Sequence, residues 1–186
     1  MRIVAGTAKG RLLLGPRSEA VIRPTADRVR QTLFDVLGQW CEGLEVLDLY
    51  AGTGALGLEA LSRGAAHATL VDSGKEAQAI CRKNTEALGF GDRVELMAVA
   101  ATTAMDLLSR KGKSFDLVFV DPPYALMAGA STLSALDQKR LLAPLGRVVV
   151  EHARSEALAQ LSGRLALEDE RRFGDTVVSI FRLTGP

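Results

Sequence analysis

Five short apolar runs alternate with helical patterns along this chain, and that alternation limits its fold more than any other feature. "LEVLDLY" (44–50), "HATLVD" (67–72), "RVELMAV" (93–99), "FDLVFV" (115–120) and "GRVVVEH" (146–152) read as strands. Between them "GALGLEALSRG" (54–64), "KEAQAICRKNTEALGF" (75–90), "TTAMDLLSRKG" (102–112) and "STLSALDQKRLLAPLG" (131–146) carry the helical period, two of them with glycine stops. Strand, helix, strand in series requires right-handed crossovers, so the pattern predicts an α/β fold: a mostly parallel sheet with helices on both faces. The tail "RLALEDERRFGDTVVSIFRL" (164–183) breaks the alternation and reads as two strands around Phe173-Gly174-Asp175, an antiparallel hairpin closing one edge.

The amino-terminal segment has its own pattern. "RIVAG" and "GRLLLG" suggest a small hairpin, followed by "RPTADRVRQTLFDVLG" (23–38). In that piece Thr25 is expected to cap a helix with Asp27 in its first turn and Val29, Leu33, Phe34, Val36 and Leu37 on its apolar face. We therefore expect a basic arm over residues 1–40 and a single α/β domain over 41–186, since 186 residues at 47% hydrophobic content can bury one sizeable core.

The net charge of +1 hides an asymmetry. Residues 1–30 hold seven cations (Arg2, Lys9, Arg11, Arg17, Arg23, Arg28 and Arg30) against Glu19 and Asp27, leaving 16 of the 23 cations and 20 of the 22 acids to the rest. A basic arm on an acidic body suits an enzyme of a polyanion, because phosphate neutralisation supplies most non-specific nucleic-acid affinity; a solvated basic face is the plainer reading. The two cysteines, Cys41 and Cys81, lack metal-ligand spacing and read as unpaired thiols of a reducing compartment; no metal site is expected. With no membrane-length apolar run and no secretory-type amino terminus, a soluble cytoplasmic protein is expected.

In an open α/β sheet the carboxyl ends of the strands hold the chemistry, and three of them are loaded. In "LDLYAGTGALG", Asp48 precedes Gly52, Gly54 and Gly57, glycines that let backbone approach a ligand and leave helix N–H groups free to bind it. Asp72 ends the next strand, placed to accept from ribose hydroxyls. The loop satisfies the dinucleotide fingerprint as well, so a nicotinamide enzyme stays open. A carboxylate at Asp48 is awkward beside a pyrophosphate but suits a cofactor bearing an ammonium and a sulfonium, which favours S-adenosylmethionine.

The third end is Asp121-Pro122-Pro123-Tyr124. Prolines cannot continue a central strand, so they end it in an extended turn whose carbonyls stay unpaired and face the cleft. Asp121 and the Pro122 carbonyl can accept the two hydrogens of an exocyclic amino group while Tyr124 offers its ring for stacking. That leaves the nitrogen lone pair aimed at a sulfonium methyl, with catalysis by positioning.

"LDLYAGTGALGLEALSRGA" together with "FVDPPY" resembles the class I S-adenosylmethionine-dependent methyltransferases of exocyclic amino groups. More narrowly, "RIVAGTAKGRLL" followed by "RPTADRVRQTLFDVL" is similar to the bacterial 16S ribosomal RNA guanine-N2 methyltransferase family (the RsmD family), over nearly the whole chain. The resemblance implies a Rossmann-like seven-strand fold and methylation of a guanine in small-subunit RNA, within an assembled or partly assembled subunit and by a monomer. By position it makes Asp48, Tyr50, Ala51, Gly52 and Gly54 the cofactor loop, Asp72 the ribose acid and Asp121 to Tyr124 the catalytic turn. Arg2, Lys9, Arg11, Arg23, Thr25 and Arg28 become RNA contacts. Where such enzymes often place an acid near the adenine, this chain has Val99-Ala100-Ala101, so contact at Ala101 falls to backbone groups.

Guanine's edge presents two adjacent donors that suit the acceptor-only Asp121, and this leans towards guanine over adenine. An adenine-N6 methyltransferase, a nicotinamide oxidoreductase and a catalytically silent RNA-binding module remain alternatives. His67 reads as a surface turn, His152 as a residue able to approach the cleft, Trp40 as packing, and Arg171, Arg172 and Phe173 as a solvated hairpin.

Overall fold

The computed structural model describes residues 1–16, 24–37, 41–123 and 126–185, and for 24–29 the backbone alone. The strands are β1 (Glu45–Asp48), β2 (His67–Val71), β3 (Val94–Met97), β4 (Phe115–Val120), β5 (Leu142–Ala153), β6 (Leu161–Ser162), β7 (Leu165–Phe173) and β8 (Thr176–Leu183). They form one sheet in the order β3-β2-β1-β4-β5-β8-β7-β6. β1 to β5 run parallel to their neighbours, and β8, β7 and β6 join antiparallel. The helices are α1 (Pro24–Val36), α2 (Ala55–Ser62), α3 (Lys75–Leu88), α4 (Ala101–Arg110) and α5 (Gly129–Gln138).

Period-two alternation explains how the sheet is covered on both sides. Val46, Leu117 and Phe119 pack with α1, α2 and the arm, whereas Leu47, Val118 and Val120 pack with α4 and α5. α3 ends as its sequence predicts: Gly89 takes φ 73 and the Phe90 N–H returns to the Thr85 carbonyl.

The sheet has one strand more than the seven expected, because Gly163 at φ 61 folds Leu161–Ser162 back onto β7. The fourth crossover helix also ends early. A helix was expected to reach Gly146, but α5 stops at Gln138, Arg140 adopts φ 51 and Leu142 pairs beside Phe115 in β5. Pro144 is the physical reason, since a proline inside a helix removes a hydrogen bond and clashes with the preceding turn. α1 begins at Pro24, which puts Thr25 inside the first turn rather than at the cap; proline suits that first position because its missing N–H has no partner there anyway.

The arm forms the expected hairpin in reduced form, a single antiparallel bridge between Arg2 and Leu12 supported by the Ile3 N–H on the Arg11 carbonyl at 3.0 Å. Its attachment to the body centres on Glu59 of α2, fully buried, which accepts the Val4 N–H at 2.8 Å and the Ala5 N–H at 3.0 Å. Arg63 bonds the same carboxylate at 2.8 Å and Arg30 lies 3.6 Å from it. Ile3, Leu13, Leu33 and Phe34 complete the contact by joining the core.

Candidate active site

A cleft of about 640 Å³ opens along the carboxyl ends of the parallel strands. Its lining follows the sheet order: Ala100, Ala101 and Thr102 after β3, Asp72 and Ser73 after β2, Leu49, Tyr50 and Gly52 after β1, Asp121 to Pro123 after β4, and Glu151 in β5. Four inter-strand spacings make this row roughly 19 Å long, enough for an adenosyl cofactor and a second flat group beyond it. Among the described lining residues there are three acids and no lysine or arginine.

The glycine loop is held from two sides. Gly52 and Gly54 take φ 53 and 82, and Asp72 accepts the Gly52 N–H at 2.8 Å and the Gly74 N–H at 2.8 Å, one through each oxygen. Gly54 donates to the Ala51 carbonyl at 2.7 Å, and a Cβ at Gly54 would lie 2.8 Å from Cys81 Sγ. Cys81 is a buried free thiol pushed up to about 12 by burial first, and Cys41, also buried and free, up to about 11 by the same cause; neither is poised to react.

The expectation that the N–H groups here stay free for the ligand is corrected at the three glycines. Those of Gly52, Gly54 and Gly57 are bound to Asp72, Ala51 and Asp48. A pyrophosphate needs such donors and no acids; here three of the donors are taken and two acids stand beside the loop.

Asp48 lies beneath the loop, 1% exposed. Its Oδ2 accepts the Gly57 N–H at 3.3 Å and its Oδ1 has no hydrogen-bond partner. Burial pushes its carboxyl up to about 7, with the Gly57 and Tyr50 N–H groups opposing and the Asp72 charge adding. A buried acceptor left unpaired is costly, and a cationic ligand offsets it. Of the residues expected at the cofactor, Tyr50, Gly52, Asp72 and Ala101 line the cleft, and Asp48, Ala51 and Gly54 do not.

At the catalytic turn, Asp121 and both prolines line the cleft. Desolvation, then the Glu151 and Asp48 charges, holds the Asp121 carboxyl well above the ordinary carboxylate range. The Pro123 carbonyl is not unpaired as expected: it accepts the Leu126 N–H at 2.8 Å. Tyr124, Arg23 and Trp40 lie outside the described residues, and of Thr25 and Arg28 the structure describes only the backbone.

Around the arm, Arg2, Lys9 and Arg11 are exposed, and Arg11 donates to the Ala87 carbonyl at 2.5 Å. Arg30 leaves the set of phosphate-facing cations, being 4% exposed and turned to Glu59 and the Arg2 carbonyl. Asn84 joins the arm to the loop: it accepts the Leu14 N–H at 2.8 Å and donates to the Leu14 and Thr53 carbonyls at 3.1 and 2.9 Å. His152 does not reach the cleft, since it is buried with Nε2 2.9 Å from Ser179 Oγ. His67 opens β2 rather than a turn, 4.0 Å from Glu45. Arg171 and Arg172 pair with Asp169 and Glu170 on the exposed hairpin. The sequence reading did not single out Ser73, Thr102 or Glu151, although an acid directly after three valines was a usable signal for the last.

A mostly parallel sheet with a glycine loop, a ribose-type acid and an Asp-Pro-Pro turn on successive strand ends defines a Rossmann-like methyltransferase. The family described as conserved hypothetical protein 95 matches residues 1–182, and the chain belongs to it, the family of the small-subunit ribosomal RNA methyltransferase D proteins. Ribosomal RNA small subunit methyltransferase D of Escherichia coli is 35% identical over 182 residues, covering 98% of this chain and 89% of its own. The solved structure of an Escherichia coli protein described as a methyltransferase superposes with a TM-score of 0.86 at 33% identity, over 100% of this chain and 99% of that one. SMU.776, a methyltransferase-type structure complexed with SAH, shares the fold at a TM-score of 0.72 and 15% identity, over 87% of this chain and 50% of that one.

Proposed function

We propose that this enzyme uses S-adenosylmethionine to methylate the exocyclic N2 amino group of a guanine in small-subunit ribosomal RNA, acting as a monomer on an assembled or partly assembled subunit. The observation that carries the reading is the acid-lined row from Asp72 to Asp121, with the orphaned Asp48 carboxylate oxygen beneath it. These residues fit a cofactor with an ammonium and a sulfonium better than any phosphate-bearing one. S-adenosylmethionine supplies a methyl group made electrophilic by its attachment to that sulfonium.

The chain's own residues supply binding and orientation. Asp72 keeps lone pairs for ribose hydroxyls beyond its two N–H bonds, Ala101 bounds the adenine end, and Gly52 lets the backbone approach closely. Asp121 and the Pro122 carbonyl accept the two amino hydrogens, which takes the nitrogen lone pair out of conjugation; Asp121 also receives the proton released on methylation. Tyr124 supplies the stacking surface. Holding the two reactants in line is worth up to about 7 to 11 kcal/mol.

Arg2, Lys9, Arg11, Arg23, Thr25 and Arg28 form the RNA-contacting set of the 1–40 arm, and the Asn84 link sets that arm beside the cofactor loop. So small a basic surface supplies phosphate affinity while the folded particle supplies much of the specificity.

The test is transfer of radiolabelled methyl from S-adenosylmethionine to unmodified small subunits and to naked RNA, followed by nucleoside analysis, with Asp121→Ala alongside. Label in N2-methylguanosine on subunits, lost in the variant, is expected. Label in N6-methyladenosine replaces the substrate, and equal labelling of short naked RNA removes the role of the particle.

A further inference from the structure

The cleft contains an acid that the mechanism above leaves unused. Glu151 lies in β5, and the register pairs Val120 with Val150, so Asp121 and Glu151 are the next residues of two adjacent parallel strands. Both line the cleft, and Glu151 stands at the end of the row opposite Asp72, one strand beyond Asp121. Its charge reaches Asp121, where it is the largest influence after desolvation.

We propose that Glu151 is a base-reading residue, completing with Asp121 an edge of acceptors for the adjacent N1–H and N2 amino donors of a guanine. The proposal rests on the guanine reading given above and assigns the group that distinguishes that base from adenine. Carboxylates only accept, and guanine's edge offers donors side by side. With Asp121 and the Pro122 carbonyl on the amino group, the acid one strand farther from the cofactor end meets N1–H. Adenine puts a lone pair at N1, so Glu151 would face another acceptor in a desolvated pocket. A site built to receive an N–H rejects the analogue lacking it far more strongly than an apolar pocket rejects a missing methylene.

The experiment uses small subunits reconstituted with either guanine or 2-aminopurine at the methylated position. 2-Aminopurine keeps the amino group but has a lone pair at N1; it also lacks O6, a loss common to every enzyme form that cancels in a ratio of ratios. Wild type is expected to prefer guanine. Glu151→Gln, able to donate or accept, is expected to lower kcat/KM on guanine about 10- to 100-fold, as for the loss of one charge-assisted hydrogen bond, and to shrink the guanine preference by a similar factor. The cofactor Kd and the melting temperature check that the variant is folded. Glu151→Ala removes the acceptor without adding a donor and is expected to shrink the ratio too, so the test survives an unstable glutamine variant. Wild-type methylation of guanine with an unchanged ratio in both variants overturns this proposal alone. Wild-type methylation of adenine overturns the guanine reading and this proposal with it.

Discussion

Asp72 accepts the Gly52 N–H at 2.8 Å, so the end of β2 holds in place the glycine loop that follows β1. The same residue lines the cleft, and under the proposed function its carboxylate also takes the ribose hydroxyls. Asp72→Ala therefore removes a ligand contact and a loop restraint together. We expect the dissociation constant for S-adenosylmethionine to rise about 10- to 100-fold by calorimetry, from one or two charge-assisted bonds. An unchanged constant would remove Asp72 from the cofactor site.

Asp48 gives the empty enzyme a pH signature. Its folded pKa is about 7 against an ordinary 3.8, so between these values the folded form holds a proton that the unfolded form has lost. Stability from this group is complete below pH 4 and declines as pH rises towards 7. Asp48→Asn should melt above wild type by a margin that widens across that window. A sulfonium ligand prefers the ionised carboxylate, so wild-type cofactor affinity should strengthen from pH 6 to 8 while the asparagine variant stays flat and weaker. Parallel pH curves for the two proteins would contradict this.

Under the proposed mechanism Asp121 must be ionised to accept an amino hydrogen and then the released proton, yet burial, Glu151 and Asp48 all favour its neutral form. The acid limb of kcat/KM should therefore lie well above the pH of an ordinary carboxylate, with activity lost as pH falls. Removing the neighbouring charge by Glu151→Gln should move that limb to lower pH, whatever the variant does to the height of the profile. A limb at the same pH in both enzymes would separate the two acids electrostatically.

Gly6 takes φ 79, and a Cβ there would lie 1.8 Å from the Ser62 carbonyl oxygen. That oxygen accepts the Thr7 N–H at 2.7 Å, so Gly6→Ala must push the arm away from α2. The expected cost is about 1 to 3 kcal/mol of stability by denaturant melts. Methylation of subunits should fall with cofactor binding preserved, which separates the arm's work from that of the cleft. Equal loss of both would show that the arm supports the loop as well.

Much of this was readable in the sequence, and what escaped has identifiable causes. The parallel strands announced themselves because strands buried on both faces must be apolar throughout, and glycines marked the loop because Gly52 and Gly54 take positive φ values that favour glycine. The stretch 142–146 deceived because Leu141, Leu142 and Leu145 keep a helical spacing; Pro144 was the contrary signal, and pairing with Phe115 decided the outcome. Glu151 escaped because acids were sought just past strand ends. β5 runs on to Ala153 through its antiparallel pairing with β8, so an acid still within a strand reaches the cleft. The occupied N–H groups of the glycine loop depend on Asp72 and Asp48 arriving from other elements, which no local pattern records.

Glu59 grips the arm by the N–H groups of Val4 and Ala5, atoms that every residue except proline possesses. The clasp is indifferent to what side chains the segment carries at those positions. Other side chains grafted at those two positions would keep the same anchorage, so the clasp is a cuff that can be refitted without touching the domain that wears it.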